Sequence, residues 1–272
     1  MPKSLAISAL FLDFDGTISR IEAPMETAQP TPLVKKTLRK IAKEIPVAMV
    51  TTKDMQFIRQ KIPFAWAWAA IGGLEIRVGE RVLRSPQAKS CSPLLEELSE
   101  RLDEKTKKID RSVCVERKTL SSGRLAGICV DWRLTKDWNK IGTRVDGLLG
   151  PFKEHGLAVL QYPGRPYVDI YPKRIDKRRA FLVLKRELKI EGPIMYMGDS
   201  ELDEAAFRVA DVSIGVLHDE SASKLSSQFF AKFDHIGRFL VELYRNKLVF
   251  NPESRWIVAN KSEETCEVHL CQ

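Results

Sequence analysis

Carboxylates at two places in the sequence have the residue types and spacing needed for phosphoryl transfer. Each polar residue of interest follows a predicted strand or extended segment: Asp13, Asp15, Thr51, Lys177, Asp199 and Asp203. In an open α/β sheet, ligands bind outside the carboxyl ends of the strands. We therefore expect four carboxylates, one hydroxyl and one ammonium to meet at one sheet edge.

The aspartates can supply both metal ligands and a nucleophile. Mg²⁺ takes oxygen ligands, commonly one or two carboxylates with water and substrate phosphate, and Asp13 and Asp199 can provide these carboxylates. An oxygen of Asp13 can then attack phosphorus and form an acyl phosphate. Asp15, two residues on, can protonate the leaving oxygen and then activate water. Thr51 and Lys177 would hold the phosphoryl oxygens in the transition state.

Each member of this set also has an ordinary structural explanation. Asp-x-Asp-Gly segments are common in tight turns, Thr51 could cap a helix, and Lys177 could be a solvated side chain. Asp199 with Ser200 could cap the helix that follows. The occurrence of all members in order, each after its own strand, favours an active site.

Alternating strands and helices in the N-terminal third of the chain position Asp13, Asp15 and Thr51. Thr31 and Pro32 are typical of a helix start. The apolar patterns predict strands over residues 6–12, 47–50 and 66–71, and helices over 32–44 and 54–60. This βαβ order predicts an α/β fold with a Rossmann-like parallel sheet.

From about residue 86 the pattern changes to that of a smaller α+β module. It predicts helices over 92–109 and 136–155, and strands over 113–116, 125–132, 157–161 and 167–170. This αββαββ order indicates an insertion into the sheet domain. Alternation resumes with helices over 177–189, 201–209 and 234–247 and strands over 194–197 and 212–216. The predicted division is an N-terminal core segment (1–85), the inserted module (86–165), a C-terminal core segment (166–250) and a weakly structured C-terminal tail (251–272).

Composition indicates an ordinary globular protein. The 272 residues are 44% hydrophobic and 29% charged, and no apolar run approaches the roughly 20 residues of a membrane helix. The beginning of the chain lacks the pattern of a signal peptide. We therefore expect a cytoplasmic protein without a membrane partner.

The cysteines do not form a metal or disulfide pattern. Five of them without a C-x-x-C pair are typical of reduced thiols. Cys266, His269 and Cys271 cluster near the end of the chain, but a zinc site needs a fourth ligand. We therefore assign this segment to a solvated tail.

The net charge of +8 fits an anionic partner. The basic residues are spread over many segments, mostly beside acidic ones, which is typical of a solvated surface. No nucleic-acid-binding motif is present. The charge therefore favours a small anionic substrate over nucleic acid.

The motifs resemble those of the haloacid dehalogenase superfamily. The segment LDFDGTI matches its first motif, Thr51 and Lys177 fall at its second and third, and GDSELD falls at its acidic fourth motif. The resemblance implies Asp13 as nucleophile and Asp15 as acid/base. It also implies Mg²⁺ held by Asp13, the Asp15 backbone carbonyl and Asp199, with Asp203 as a supporting carboxylate.

The long interval between the second and third motifs resembles a C2B-type cap, which the inserted module would form. Within the superfamily, the segments GLEI and GDSELDEAAF look most like trehalose-6-phosphate phosphatases. The sequence differs in TTK for SGR, Ser200 for a second Asp, and Arg178 for a Gly. The resemblance implies substrate contacts from the following residues: Gly16, Thr17, Thr52, Glu116, Lys118 and Arg133.

The role of the module residues stays open between two explanations. Alternate residues of a strand share a face, so Glu116 and Lys118 could together bind sugar hydroxyls. They could equally form a cross-strand ion pair on a solvated sheet.

The predicted function is a Mg²⁺-dependent phosphatase for trehalose 6-phosphate or a related glycoside phosphate. Alternatives are a mannosyl-3-phosphoglycerate or sucrose-phosphate phosphatase, a phosphomutase, and a non-catalytic sugar-phosphate sensor or nucleic-acid-associated module. A sugar-phosphate synthase is the expected upstream partner, and we expect a monomer or weak dimer.

Overall fold

Strands and helices alternate along most of the chain. The computed structural model describes residues 4–21, 27–153, 156–162, 164–172, 175–218 and 224–260. Its strands are β1 (Leu5–Ala6), β2 (Ala9–Leu12), β3 (Val47–Val50), β4 (Ala67–Ala70), β5 (Glu75–Val78), β6 (Arg81–Arg84), β7 (Cys114–Thr119), β8 (Leu125–Asp131), β9 (Ala158–Gln161), β10 (Tyr167–Tyr171), β11 (Ile194–Gly198), β12 (Val212–Leu217), β13 (Phe229–Lys232), β14 (Val249–Phe250) and β15 (Val258–Ala259). Its helices are α1 (Pro32–Ile41), α2 (Met55–Lys61), α3 (Pro86–Ser90), α4 (Ser92–Ile109), α5 (Trp138–Lys153), α6 (Lys177–Glu187), α7 (Glu204–Phe207) and α8 (Ile236–Arg245).

The larger sheet has a parallel centre. Within the described residues its order is β15-β13-β12-β11-β2-β3-β4-β5-β6. The strands from β13 to β4 are parallel, and the outer strands β15, β5 and β6 are antiparallel to their neighbours. Apolar side chains on its two faces form two separate buried clusters. The predicted α/β fold with a Rossmann-like core is confirmed.

Short-range capping explains where several core helices begin. The Thr31 hydroxyl accepts a hydrogen bond from the Val34 backbone N–H at 3.4 Å, which confirms the predicted start of α1. The Asp54 carboxylate likewise accepts from the Phe57 N–H at 2.8 Å at the start of α2. Both helices therefore begin directly after a polar residue that caps them; the cap was predicted for Thr31, and Asp54 was predicted as the first residue of its helix.

The inserted module is a four-stranded antiparallel sheet in the order β7-β8-β10-β9. The order of its elements is the predicted αββαββ. Helices α4 and α5 bury an apolar cluster with one face of this sheet, including Leu98, Val130, Val145 and Val168. Polar residues of the other face line a cleft together with residues at the edge of the core sheet. The module can therefore cover the carboxyl ends of the core strands.

The predicted module boundary at residue 165 is wrong. Strand β10 pairs with β8 and β9, so the module continues to Tyr171. Val168 and Ile170 are fully buried in its apolar cluster. Both the backbone pairing and this burial place β10 inside the module sheet.

Two other regions differ from expectation. The sequence pattern did not predict the hairpin β5–β6, whose two-residue loop contains Gly79 at φ +55°. The predicted tail 251–272 is wrong for residues 251–260, because Val258–Ala259 pairs with β13 and Ile257 is buried. Cys266, His269 and Cys271 lie outside the described residues. In the portion of the chain that is described, no helix has the length and apolar character to cross a membrane.

Candidate active site

Two adjacent parallel strands deliver the first carboxylates. Asp13 follows β2 and Asp199 follows β11, and these strands pair directly. The Asp13 backbone N–H also donates to the Met197 carbonyl at 2.9 Å, which extends the pairing to the strand ends. The acidic site therefore lies at the carboxyl edge of the sheet.

Gly16 allows the loop after Asp15 to contact Asp199. Its φ is +70°, in the left-handed region that favours glycine. A Cβ at this position would lie only 1.9 Å from Asp199 Oδ2. Glycine is therefore required here for both conformation and space.

Lys177 enters the site from the first turn of α6. Asp176 caps this helix by accepting from the Arg178 and Arg179 backbone N–H groups. The buried Lys177 Nζ lies 3.0 Å from Asp13 Oδ2 and 2.6 Å from Asp203 Oδ1. A single ammonium thus balances two buried carboxylates.

Asp203 has both carboxylate oxygens engaged by protein donors. Oδ1 accepts from Lys177 Nζ and from the Tyr196 hydroxyl. Oδ2 accepts from the backbone N–H groups of Asp199 and Ser200 and from the Ser200 hydroxyl. These contacts fit a residue that orders the loop and Lys177.

Burial and charge repulsion make this cluster favourable for a cation. Burial raises the pKa of Asp13 well above its usual value; Lys177 opposes this rise, and the neighbouring aspartates add to it. Burial also raises the pKa of Asp199, against a lowering contact from His218. A positive charge between these carboxylates would favour their ionised forms.

Three of these carboxylates lie close enough together to hold one cation between them. One oxygen each of Asp13, Asp199 and Asp203 lies within 4.8 Å of the others. Carboxylate oxygens are the ligands that Mg²⁺ prefers. The donor chemistry of the cluster therefore fits a hard divalent cation.

A cleft between the core edge and the polar face of the inserted module leads to this cluster. Asp15, Glu116, Lys118 and Arg133 all line it. The Lys53 Nζ lies 3.6 Å from Asp15 Oδ2 and 3.9 Å from Glu116 Oε2. Lys53 therefore links a carboxylate of the core to one of the module.

A buried network forms the module wall of the cleft. Lys118 Nζ donates to Asp169 Oδ1 at 2.6 Å and to the Tyr171 hydroxyl at 2.9 Å. The Tyr162 hydroxyl donates to Asp169 Oδ2 at 2.9 Å. Because Glu116, Cys129 and Asp169 are in register on three adjacent strands, this wall is continuous.

The amino-acid sequence is similar to that of trehalose-phosphate phosphatases. Residues 11–122 match the family model described as trehalose-phosphatase. The chain is 28% identical over 212 residues to a probable trehalose-phosphate phosphatase 4 of Oryza sativa subsp. japonica, covering 74% of this chain and 54% of that protein. The chain spans about half the length of the curated relatives it matches.

Solved structures share the fold. The C-terminal domain of a Candida albicans trehalose-6-phosphate phosphatase superposes with a TM-score of 0.71 at 15% identity, covering 88% of this chain and 92% of that chain. A haloacid dehalogenase-like hydrolase from Bacteroides thetaiotaomicron gives 0.61 at 13% identity, covering 88% and 99%. The chain has the haloacid dehalogenase fold and is similar to trehalose-phosphate phosphatases. We call the inserted module the cap, because it covers the cleft at the edge of the core sheet.

The haloacid dehalogenase core brings together most of the predicted site residues. Those that line the cleft are Asp13, Asp15, Thr52, Glu116, Lys118, Arg133, Lys177 and Asp199. Arg133 also spans cap and core, because its Nη1 donates to the Ile21 carbonyl at 3.0 Å. Glu116 and Lys118 both line the cleft. Lys118 forms an ion pair with Asp169 of another strand, but this pair is buried and not on a solvated sheet; a role of Glu116 and Lys118 in sugar binding remains a prediction.

Three residues predicted to contact phosphate or substrate do not line the cleft. Thr51 is fully buried, and its hydroxyl accepts from the Lys53 backbone N–H at 3.2 Å. Gly16 acts through its conformation and its contact with Asp199. Thr17 is fully buried, and its hydroxyl has no hydrogen-bond partner within the described residues. Their predicted contacts with substrate remain predictions.

Sequence reasoning missed several residues of the site. Tyr162, Tyr167 and Asp169 line the cleft from the cap, and the period-two spacing of Tyr167, Asp169 and Tyr171 could have placed these side chains on one face. Lys53 was noted only as a departure from a family motif. No local signal pointed to His218, whose Nε2 lies 2.7 Å from the Gly16 carbonyl oxygen.

Proposed function

We propose that this protein is a Mg²⁺-dependent phosphatase that hydrolyses a small sugar phosphate through an aspartyl-phosphate at Asp13. Trehalose 6-phosphate or a related glycoside phosphate is the proposed substrate. The observation that carries the proposal is the contact of Lys177 Nζ with Asp13 Oδ2 at 3.0 Å, beside Asp199 and beneath a polar cap. This arrangement places the Asp13 nucleophile and the positively charged Lys177 side chain together in a covered cleft.

Asp13 and Asp199 are the proposed metal ligands, with the Asp15 backbone carbonyl. Asp203 supports them through the Lys177 ion pair and the loop N–H groups. A bound Mg²⁺ would neutralise charge on the carboxylates and on the substrate phosphate. Lys177 would add a second positive charge to the same phosphoryl group.

Two displacements at phosphorus complete the proposed reaction. The carboxylate oxygen of Asp13 that does not hold the metal bonds to phosphorus while the bond to the sugar oxygen breaks, and Asp15 gives its proton to that sugar oxygen. Water then attacks phosphorus, its proton passes to Asp15, and the Asp13–phosphorus bond breaks. The products are the sugar and inorganic phosphate, and both carboxyl groups return to their starting forms.

The cap wall supports a sugar as the leaving group. Glu116, Asp169 and the Tyr162 hydroxyl oxygen are acceptors, Lys118 has one N–H beyond those given to Asp169 and Tyr171, and all four residues line the cleft. Alternating donors and acceptors match the hydroxyl groups of a sugar. The buried Lys118–Asp169 pair would hold this wall in one geometry.

Phosphate release from a panel of sugar phosphates tests the proposal. Each ester is assayed with Mg²⁺ and with excess EDTA, using the wild-type protein and Asp13→Asn. Asp234→Asn is the matched control, because the Asp234 carboxylate is exposed and pairs with Arg20 at the surface. We expect EDTA-sensitive release that is lost in Asp13→Asn and kept in Asp234→Asn.

Turnover retained by Asp13→Asn would contradict the mechanism. Conversion of glucose 1-phosphate to glucose 6-phosphate without phosphate release would instead favour a phosphomutase. No phosphate release from any ester, together with salt-sensitive retention of the protein on nucleic acid, would favour a binding module. A cytoplasmic location, a monomer or weak dimer, and an upstream sugar-phosphate synthase remain predictions.

A further inference from the structure

His218 lies at the end of β12, next to the strand that delivers Asp199. Its Nε2 is 2.7 Å from the Gly16 carbonyl oxygen and 3.6 Å from Asp199 Oδ2. The imidazole stacks on the Phe233 ring, with centroids 5.3 Å apart and an interplanar angle of 25°. Only 19% of the side chain is exposed. One ring edge therefore contacts two elements of the acidic site.

The hydrogen bond to Gly16 fixes the histidine tautomer. A carbonyl oxygen only accepts, so Nε2 must carry the proton. The same N–H is also close to Asp199 Oδ2. Because Gly16 has left-handed backbone geometry and touches Asp199 directly, the three groups form one contact set. His218 thus contacts both the loop that follows the nucleophile and the Asp199 carboxylate.

His218 lies outside the cleft in which the proposed reaction takes place. It is not among the residues that line the cleft between core and cap. It reaches Asp199 beside the loop that follows Asp15. Mutation of a group that orients a metal ligand in this way commonly weakens metal binding by about 10- to 100-fold.

We propose that His218 is a positioning residue that holds Asp199 and the Gly16 carbonyl in the geometry needed to bind a divalent cation. The inference rests on the proposed function for the existence of the metal site. It adds a residue from β12 to a site otherwise built from β2, β11 and α6. Replacing His218 should therefore change the affinity for the metal more than it changes the rate of the chemical step.

Cation binding without substrate tests this role. Mn²⁺, which like Mg²⁺ suits oxygen ligands, is titrated into the metal-free full chain, and free Mn²⁺ is counted by electron paramagnetic resonance. The variants are His218→Phe, which keeps an aromatic ring against Phe233 but lacks the N–H, and His218→Gln, which keeps an N–H donor. The matched control is His235→Gln, because His235 also packs on an aromatic ring, that of Trp256 at 5.4 Å.

We expect His218→Phe to weaken Mn²⁺ binding by about tenfold or more. His218→Gln should fall between this variant and the wild type, and His235→Gln should match the wild type. Thermal unfolding in EDTA checks that each variant is folded.

Unchanged Mn²⁺ affinity in His218→Phe, with binding intact in the wild type, would overturn this inference alone. Absence of Mn²⁺ and Mg²⁺ binding in the wild type would overturn both this inference and the metal requirement of the proposed function.

Discussion

The Glu75 carboxylate in the core accepts hydrogen bonds from both the backbone N–H and the hydroxyl of Ser121 in the cap, at 2.9 and 2.7 Å. Arg84 joins them, because its Nε donates to Glu75 at 2.7 Å and its Nη2 donates to the Ser121 hydroxyl at 2.8 Å. Glu75 is fully buried. Core and cap are thus tied together at a point outside the cleft.

Ser121→Ala should weaken the contact between core and cap and leave the active-site residues unchanged. Hydrogen bonds to charged groups contribute about 1.5–3 kcal/mol, and we expect a loss near the lower end because the backbone N–H remains. The KM for a sugar phosphate should rise more than that for p-nitrophenyl phosphate, whose leaving group needs fewer cap contacts. Urea unfolding and steady-state kinetics measure both effects. Ser122→Ala, at the exposed neighbouring position, should leave both unchanged; equal effects of the two variants would contradict the assignment.

Asp15→Asn should separate the acid/base role from the nucleophilic one. General acid–base catalysis contributes about 10²–10⁴-fold, so sugar-phosphate turnover should fall by this factor. p-Nitrophenolate leaves without a proton, so this ester should still phosphorylate Asp13 and give a stoichiometric burst of nitrophenolate. Rapid-mixing absorbance measures the burst. Asp13→Asn, as comparison, should show none, and absence of a burst in folded Asp15→Asn would argue against its assigned role.

Lys177→Met should destabilise the protein as well as inactivate it. Removing this ammonium leaves Asp13 and Asp203 buried without their shared counter-charge, and breaking a buried pair costs about 3–5 kcal/mol. The double variant Lys177→Met with Asp203→Asn removes one uncompensated charge. We expect it to recover some of the lost unfolding free energy in urea while remaining inactive. A double variant less stable than the single variant would contradict this electrostatic explanation.

The Asp169 contribution to stability should depend on pH. Burial alone would raise the pKa of Asp169, but Lys118 and the hydrogen bonds from Lys118 and Tyr162 lower it overall. A lowered folded pKa gives stability that is present above the unfolded value of about 3.9 and is lost as pH falls through the folded pKa. The difference in unfolding free energy between wild type and Asp169→Asn should therefore shrink below about pH 4.

Urea unfolding across this pH range tests the linkage. Asp103→Asn is the control, because Asp103 pairs with Lys107 at the exposed surface, and surface pairs contribute little. A difference for Asp169→Asn that stays constant down to the lowest pH would show that the carboxylate does not titrate as its contacts predict.

Local patterns in the sequence were enough to predict several elements of the site. Apolar runs predict β2 and β3, and the polar residues directly after them lie at the sheet edge. The helix start at Thr31 and the αββαββ order of the cap were also predictable, because capping and periodicity act over a few residues.

The meeting of distant residues, by contrast, depends on the tertiary structure. Lys177 pairs with Asp203 across 26 positions, Lys118 with Asp169 across 51, and His218 reaches Gly16 across 202. The end of the cap at Tyr171 likewise depended on which strands β10 pairs with. Local pattern fixes the face or strand end where a side chain lies, whereas strand order and the docking of the cap on the core decide its partners.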